Sequence, residues 1–446
     1  MLTDFATLRA REFARLDDAG QAYLDYTGSA LYPASAVRRH LALLERRVFG
    51  NPHSHHAPSE ASAAVIDAAR QAVLEYLDAD PAVYTVVFTA NASAAVKVVA
   101  EAFPFGPECG LVLTSDNHNS VNGIREFARR AGAPVHYVPL DDHLQCPTAL
   151  EVLGSAQPRR GLFAFPAQSN FSGVRHPLTW VAEARARGYQ VLLDAAAFVP
   201  TCRLSLREVE PDFVALSIYK VAGYPTGVGA LVVKGVALAA LNRPWFGGGS
   251  VDFVSVRHNR VKRRPGADGF EDGTPDFLAM SAVPFGLRFV CDLGWDNVRD
   301  HVGRCRSDLV ARLQALAHHN GRPVVRIYGP SETTVTGVGG TVAFNVFGPD
   351  AVVLPYEVVE ARAAAAGVAL RGGCFCNPGA AEAAFGWPAD RSGRCLDRTA
   401  DDFTPARFSQ CLGNDWAVGA LRASVGVATN TRDIDRAVDV IGTFAR

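Results

Sequence analysis

The chain has 446 residues, of which 48% are hydrophobic and 20% charged, and its formal net charge is −1. This length and composition suit a soluble globular protein with one large core and a smaller one. The near-zero net charge favours a small-molecule partner and gives no support for nucleic-acid or membrane binding. Since we find neither a signal-like apolar N-terminus nor the about 20 apolar residues of a membrane span, we expect a cytoplasmic protein.

Short apolar runs alternate with stretches of helical spacing along the first two thirds of the chain. This alternation predicts βαβ units and a mainly parallel sheet with helices on both faces. Helical spacing predicts helices over residues 61–78 and 92–102. The predicted strands are residues 86–89, 111–114, 135–139, 162–167, 191–194, 213–217 and 230–233.

The pattern changes after residue 295. An Arg-rich helix over 297–317 is followed by strand-like segments at 324–328 and 340–347 and by a helix near 356–366. These elements predict a smaller α+β unit, so we divide the chain into domains 1–295 and 296–446. The polar stretch 388–408 is expected to be a surface excursion.

Polar residues that follow the predicted strands are candidate ligands, because ligands of open parallel sheets lie beyond the carboxyl ends of the strands. Lys220 closes a strand before a Gly/Pro-rich turn, and a desolvated lysine there could form an imine. An ordinary strand-end lysine is the alternative. Asp194 could pair with a protonated pyridine nitrogen or cap a helix. Ala92 and Ser93 would begin a helix whose free N–H groups suit a phosphate, although an N-cap serine gives the same pattern.

The nine cysteines are an odd number scattered along the chain, so we expect mostly reduced thiols. Cys109, Cys202 and Cys291 are predicted to be small buried hydrophobes. Cys374 and Cys376 lie in a Gly- and Pro-containing segment, which predicts an exposed, mobile nucleophile.

Two possible metal sites are alternatives in this sequence. One is a zinc site built from four cysteines, whose spacing is loose for zinc; a plain structural role is the further alternative. The other is the NPHSHH segment, in which adjacent histidines would point apart, so we expect these residues to line an entrance instead. We therefore expect no metal. The residues concerned are Cys374, Cys376, Cys395 and Cys411 for the first site and His53, His55 and His56 for the second.

An ordered set of motifs resembles the fold-type I pyridoxal-phosphate (PLP) enzymes of the class V aminotransferase and cysteine desulfurase group, and within it the N-terminal domain of molybdenum cofactor sulfurases. The motifs span nearly the whole chain in the family's order. They are residues 23–28 (YLDYTG), 49–54 (FGNPHS), 117–120 (NHNS), 165–173 (FPAQSNFSG), 217–227 (SIYKVAGYPTG), 270–274 (FEDGT), 373–379 (GCFCNPG) and 421–426 (LRASVG).

The resemblance implies an α/β fold: a large domain with a mainly parallel seven-stranded sheet, plus a smaller C-terminal α+β domain. It also implies a homodimer with shared active sites and a bound PLP. The implied cofactor contacts are Lys220 as Schiff-base lysine, Asp194 at the pyridine nitrogen, His118 stacked on the ring and available for proton transfer, Asn170 near the ring hydroxyl, Ala92, Ser93 and Ser217 at the phosphate, and Thr274 donated to the phosphate by the neighbouring subunit.

The resemblance further implies that Arg422 holds the substrate carboxylate, with Asn170 nearby, and that Cys376 attacks the substrate sulfur. Two positions depart from many desulfurases: Ala197 stands where glutamine is common, and Tyr219 replaces a histidine beside the lysine. Both are closer to the cofactor-sulfurase branch.

The predicted function is a desulfurase that removes sulfur from L-cysteine through an enzyme persulfide. The sulfur acceptor, protein or small molecule, is left open. The first alternative is another PLP reaction in the same fold, either C–S or C–Se lysis or transamination. The second is a non-catalytic sulfur carrier or scaffold.

Overall fold

The protein is described by a computed structural model that covers residues 3–330, 337–399, 401–413 and 416–445. Its strands, in chain order, are β1 (Ala22–Tyr23), β2 (Tyr84–Thr89), β3 (Gly110–Thr114), β4 (Val135–Val138), β5 (Gly161–Pro166), β6 (Tyr189–Asp194), β7 (Phe213–Ser217), β8 (Gly229–Lys234), β9 (Val251–Ser255), β10 (Arg260–Arg263), β11 (Val325–Tyr328), β12 (Thr341–Val346), β13 (Val368–Ala369), β14 (Arg371–Gly373) and β15 (Ala420–Ser424).

The helices connect these strands and cover the two faces of the larger sheet. In chain order they are α1 (Phe5–Glu12), α2 (Arg15–Asp18), α3 (Ala34–Arg46), α4 (Ala57–Tyr76), α5 (Ala92–Ala102), α6 (Asn119–Asn122), α7 (Ile124–Arg130), α8 (Ala149–Ser155), α9 (Trp180–Ala186), α10 (Leu206–Val209), α11 (Ile218–Ala222), α12 (Gly235–Ala240), α13 (Phe277–Met280), α14 (Val283–Leu293), α15 (Trp295–Gln314), α16 (Tyr356–Ala365), α17 (Pro378–Phe385), α18 (Ala389–Arg398), α19 (Pro405–Leu412) and α20 (Thr431–Gly442).

Seven strands form the large sheet in the order β2-β8-β7-β6-β5-β3-β4. Only β8 runs antiparallel to its neighbours, so the predicted mainly parallel sheet and its seven strands are confirmed. Along β5, Phe163 and Phe165 pack into one core, whereas Leu162 and Ala164 pack into the core on the opposite face. Because successive strand residues point to opposite faces, a sheet covered on both sides requires the uninterrupted apolar runs seen in the sequence.

The smaller unit is built on a four-stranded antiparallel sheet in the order β11-β12-β15-β14. Its core also contains side chains from the N-terminal segment, including Leu8, Phe13 and Leu24. Ala22 of β1 pairs in parallel with Val368 of β13. The N-terminal segment, which the predicted division assigns to 1–295, therefore packs with the smaller unit. The boundary at 295/296 itself stays a prediction.

The polar stretch 388–408 contains α18 and the first half of α19, with mostly exposed side chains. Cys395 and Cys411 form a disulfide between these two helices, which is incompatible with the four-cysteine zinc alternative. The other seven cysteines are free thiols, as predicted for most of them. Of the three cysteines predicted to be buried, Cys202 is buried and Cys109 is half-buried. Cys291 is exposed because it lies on the solvent-facing side of α14.

No single helix in the described ranges is long and apolar enough to cross a membrane. One bent pair, Phe277–Leu293 with Trp295–Gln314 at 76°, meets that test by length and composition only.

Candidate active site

The carboxyl ends of three parallel strands of the large sheet, β6, β7 and β3, carry the central site residues. Asp194 ends β6, Lys220 lies one turn beyond β7, and His118 follows β3. The prediction that Lys220 closes a strand is wrong in detail, because β7 ends at Ser217 and Lys220 lies in the one-turn helix α11. That helix ends at Gly223, whose φ is +71° and where a Cβ would lie 2.3 Å from the Tyr32 backbone nitrogen. Only glycine fits this turn without strain.

Burial and charge lower the pKa values of the two bases at this site. Removal from water is the largest influence on the pKa of Lys220 and lowers it, and Arg422 and Arg371 lower it further, while Asp194 opposes them. The pKa of His118 is also lowered, mainly by burial, again against the influence of Asp194. A lowered pKa leaves more of each base unprotonated at neutral pH. The site can therefore offer a nucleophilic amine and a neutral imidazole.

The N-terminus of α5 brings hydroxyl and amide donors together beside Lys220. The Ala92 amide donates to Ser217 Oγ at 2.8 Å, and Ser93 Oγ lies 2.5 Å from Ser120 Oγ. Asn91 caps the helix by accepting from the Ala94 amide at 3.0 Å. Hydroxyls at the N-terminus of an 11-residue helix suit a phosphate group. Ser120 was missed from the sequence, although it lies in the NHNS motif.

This donor set fits PLP on residues of the chain itself. Lys220 would hold the aldehyde carbon, the hydroxyls of Ser93 and Ser217 would hold the phosphate, and Asp194 would face the pyridine nitrogen. Asp194 Oδ1 accepts from the Ala196 amide at 3.0 Å. This bond fixes the carboxylate at the end of β6. The alternative helix-capping role is wrong, because the next helix, α10, begins only at Leu206, and the cofactor role stays a prediction.

Hydrogen bonds hold the cysteine segment against the site. Asn170 Nδ2 donates to the Phe375 carbonyl at 2.7 Å, and the Asn119 amide donates to the Cys376 carbonyl at 2.7 Å. Asn377 Nδ2 donates to Asn170 Oδ1 at 2.9 Å. Phe375 and Cys376 have φ values of 54° and 55°. Left-handed backbone at two successive non-glycine residues is strained, and such strain is typical of functional sites.

The two cysteines of this segment have different surroundings. In an extended segment thiols two residues apart would share a face, but the backbone is left-handed at Phe375 and Cys376. Cys374 Sγ points to the Val418 carbonyl at 3.4 Å, and burial raises the pKa of the Cys374 thiol to about 11. Cys376 is exposed, and its charge influences the pKa values of Lys220 and Arg422. Of the two thiols, Cys376 is the exposed one, and its backbone carbonyl is bound by the Asn119 amide.

Arg422 lies on β15, with its side chain 3% exposed. Its Nη1 donates to the Asn170 carbonyl and its Nη2 to Asp25 Oδ1, both at 3.0 Å. Burial lowers the pKa of Arg422 to about 10, against the influence of Asp25. Asp25 also binds Arg371. The sequence placed Asp25 in the YLDYTG motif without giving it a role, and Arg371 was missed.

The two departures from the desulfurase pattern lie close to the site. The Ala197 carbonyl accepts from Gln168 Nε2 at 2.9 Å, and the Tyr219 carbonyl accepts from the Ala30 amide at 3.2 Å. Tyr219 precedes Lys220 in α11 and is half-buried. Both residues thus bond to neighbouring segments through their backbone carbonyls.

Thr274 is not brought to Lys220 within the chain. It is exposed, and its Oγ1 lies 3.2 Å from Asn51 Nδ2. Its loop is held by ion pairs of Glu271 with Arg70 and of Asp272 with Arg243. Donation of Thr274 to a neighbouring subunit stays a prediction. His53, His55 and His56 are all exposed, and the entrance role predicted for them also stays untested.

One buried group in the described part of the chain has the spacing of metal ligands: Asp116, Cys146 and His176. His176 Nε2 lies 2.8 Å from Asp116 Oδ2, and burial raises the pKa of the Cys146 thiol. Asp116 and His176 thus pair with each other, and the prediction of no metal stays a prediction.

Comparison with known proteins agrees with this arrangement. The model of the family "Aminotransferase class-V" matches residues 22–437. The chain is 38% identical over 403 residues to the molybdenum cofactor sulfurase of Bos taurus, and 36% identical over 412 residues to that of Arabidopsis thaliana. These alignments cover 85% and 84% of this chain but only 45% and 50% of the relatives, so the chain spans about half the length of the curated relatives it matches.

Solved structures match along the full chain. A cysteine desulfurase from Thermococcus onnurineus NA1 superposes with a TM-score of 0.78 at 21% identity, covering 100% of this chain and 99% of that one. The cystine C–S lyase C-DES superposes with a TM-score of 0.72 at 19% identity, covering 98% and 100%. At these identities the structures show the fold, which is that of PLP fold type I. With the family model matched from residue 22 to residue 437, the chain belongs to the class-V aminotransferase family.

Proposed function

We propose that the protein is a PLP-dependent cysteine desulfurase that moves the sulfur of L-cysteine onto Cys376. The observation that carries this proposal is the placement of Cys376. Its thiol is exposed, and its backbone carbonyl accepts from the Asn119 amide. Its charge acts on Lys220 and Arg422. A thiolate within reach of the substrate sulfur is what persulfide chemistry requires and what a lyase does without.

Each neighbouring residue has a task in this reaction. PLP, when bound, supplies an electron sink for the bonds at the substrate α-carbon. Arg422 binds and orients the carboxylate, while Lys220 and His118, both with lowered pKa values, accept and return protons near neutral pH. Asn170 holds Arg422 and the cysteine segment together through its carbonyl and its amide.

The sulfur step balances without an external oxidant or reductant. The Cys376 thiolate attacks the substrate Sγ, an S–S bond forms, and the Cβ–Sγ bond breaks with its electron pair retained on carbon. A proton then replaces sulfur at Cβ. L-cysteine and the enzyme thiol thus become L-alanine and an enzyme persulfide, which passes its outer sulfur to an acceptor.

The first competing function is C–S lysis, which is favoured by the shared fold with a cystine C–S lyase. The test is product analysis of the holoenzyme with L-cysteine and a thiol reductant. A desulfurase gives alanine and sulfide in equal amounts. Pyruvate with sulfide would establish the lyase, exchange of the amino group would establish an aminotransferase, and no product with bound PLP would support a non-catalytic carrier.

Arg422→Ala is expected to lower kcat/KM for L-cysteine by about 30- to 900-fold. Loss of a buried charge-assisted carboxylate contact removes about 2–4 kcal/mol of transition-state stabilisation. Arg422→Lys should recover only part of the loss, because lysine lacks the planar fork. Steady-state alanine formation measures both variants, and an unchanged kcat/KM in Arg422→Ala would place the carboxylate elsewhere.

We also propose a homodimer in which Thr274 completes the phosphate contacts of the neighbouring subunit. Its exposed loop position supports this proposal. Lys220→Ala and Thr274→Ala chains, each impaired as homodimers, should regain activity when co-expressed, since the mixed dimer contains one site with both native residues. Failure to regain activity in purified mixed dimers would place Thr274 at its own subunit's site or outside any site.

A further inference from the structure

One carboxylate joins two arginines at the edge of the candidate site. Asp25 Oδ1 accepts from Arg422 Nη2 at 3.0 Å, and Asp25 Oδ2 accepts from Arg371 Nη2 at 2.6 Å. Arg371 Nε adds contacts of 3.0 Å to both carboxylate oxygens. The Arg422 side chain is 3% exposed and that of Arg371 is 48% exposed. Asp25 therefore links a buried guanidinium to one at the rim.

The backbone fixes this carboxylate in place. Residues 24–27 run alongside β15: the Ser424 amide donates to the Leu24 carbonyl at 2.7 Å, and the Thr27 amide donates to Ser424 Oγ at 2.9 Å. Gly28 leaves room for the ion pair, since a Cβ there would lie 2.5 Å from Asp25 Oδ2. The segment thus lies along β15 beside Arg422, and hydrogen bonds of Leu24 and Thr27 fix the backbone on either side of Asp25.

Arg422 has N–H groups that are not used by its contacts with Asn170 and Asp25. A guanidinium has five N–H groups. In the described residues, Nη1 bonds to the Asn170 carbonyl and Nη2 to Asp25, while Nε has no hydrogen-bond partner. Two contacts fix the plane of the guanidinium and leave N–H groups for a ligand carboxylate. Asp25 carries one negative charge and pairs with two arginines, so it does not fully neutralise Arg422.

We propose that Asp25 is a positioning residue that fixes the orientation of Arg422, with Arg371 as its second anchor, so that Arg422 receives the α-carboxylate of the amino-acid substrate. This inference rests on the proposed binding of an amino acid at Arg422. It holds whether the subsequent chemistry is desulfuration, lysis or transamination. Correct orientation strengthens binding because less order has to be created when the ligand arrives.

The charge of Asp25 and its orienting hydrogen bonds predict opposite effects of its removal on carboxylate binding by Arg422. Without its negative charge, two guanidiniums would attract a carboxylate more strongly. Without its hydrogen bonds, Arg422 would lose its fixed plane and bind the carboxylate less well. Weaker binding in an Asp25 variant therefore identifies a positioning role, and tighter binding identifies a purely electrostatic one.

The experiment titrates the PLP-loaded holoenzyme with L-cysteine and with cysteamine, which has the amine and thiol but no carboxylate. The absorption change of the bound cofactor, read by rapid mixing before product forms, reports binding separately from turnover. Asp25→Ala should weaken L-cysteine binding by about tenfold or more and change cysteamine binding by less than about twofold. Asp25→Asn should lie between Asp25→Ala and the native protein, because its amide oxygen still accepts a hydrogen bond.

Asp80→Ala is the matched control, since Asp80 also pairs with an arginine, Arg207, but precedes β2 at the opposite end of the sheet. Thermal unfolding and cofactor content confirm that each variant is folded; if Asp25→Ala does not fold, Asp25→Asn carries the test. Equal weakening of both ligands, unchanged binding, or tighter L-cysteine binding would overturn the inference. Failure of the desulfurase proposal would be detected separately, in the analysis of the products formed from L-cysteine.

Discussion

Replacement of Cys376 by serine is expected to reduce alanine formation from L-cysteine by about three orders of magnitude or more and to abolish the enzyme-bound sulfur. Removal of a nucleophile leaves only the residual rate from binding and orientation. Cys376 is exposed, and among the free thiols of the described residues it is the one whose charge acts on Lys220. Alanine release and intact mass after exposure to L-cysteine measure the two effects.

Cys374→Ser is the matched control, two residues away in the same segment. Because the Cys374 thiol points to the Val418 carbonyl and its pKa is raised to about 11 by burial, little of it is thiolate at neutral pH. This variant should retain the added sulfur. The reverse pattern would transfer the role to Cys374, and full alanine production by the double variant would contradict persulfide chemistry altogether.

Lys220→Ala is expected to lose the borohydride-reducible PLP adduct and, with it, about three orders of magnitude or more of activity. The chain contains only four lysines, so the site of the adduct can be assigned unambiguously among them. Burial at the carboxyl ends of the sheet lowers the pKa of Lys220. Its amine should therefore react with an aldehyde at a lower pH than an ordinary lysine.

Lys97→Ala is the control for that experiment, because Lys97 is exposed on α5 and pairs with Glu101. It should retain the adduct, the absorption of the bound cofactor and alanine formation. Peptide mapping after reduction with borohydride identifies the modified lysine. An adduct on Lys97 or Lys234 in the native protein would remove Lys220 from the centre of the site.

The large sheet could be predicted from the sequence because its strands are continuous apolar runs that are buried on both faces. The runs 162–167 and 191–194 coincide with β5 and β6 to within two residues. Asp194 and Lys220 could be selected as candidates because the carboxyl ends of parallel strands lie at one edge of the sheet, independently of the rest of the fold. These predictions depend on local patterns only.

Contacts between distant parts of the chain could not be read from the sequence. The pairing of residues 24–27 with β15, which creates the Asp25–Arg422 contact, joins segments almost 400 positions apart. The disulfide between Cys395 and Cys411 and the left-handed turn at Cys376 likewise depend on how neighbouring elements pack. A motif can mark such residues, but only the folded chain shows what they contact.

The most direct test of the proposed reaction is a single turnover. The PLP-loaded protein is mixed with one equivalent of L-cysteine without reductant or acceptor, and alanine, pyruvate, free sulfide and the modified peptide are quantified together. The proposed function predicts one alanine per active site and one added sulfur on the peptide of residues 373–379, located on Cys376 by fragmentation. Pyruvate with free sulfide and an unmodified Cys376 would contradict it.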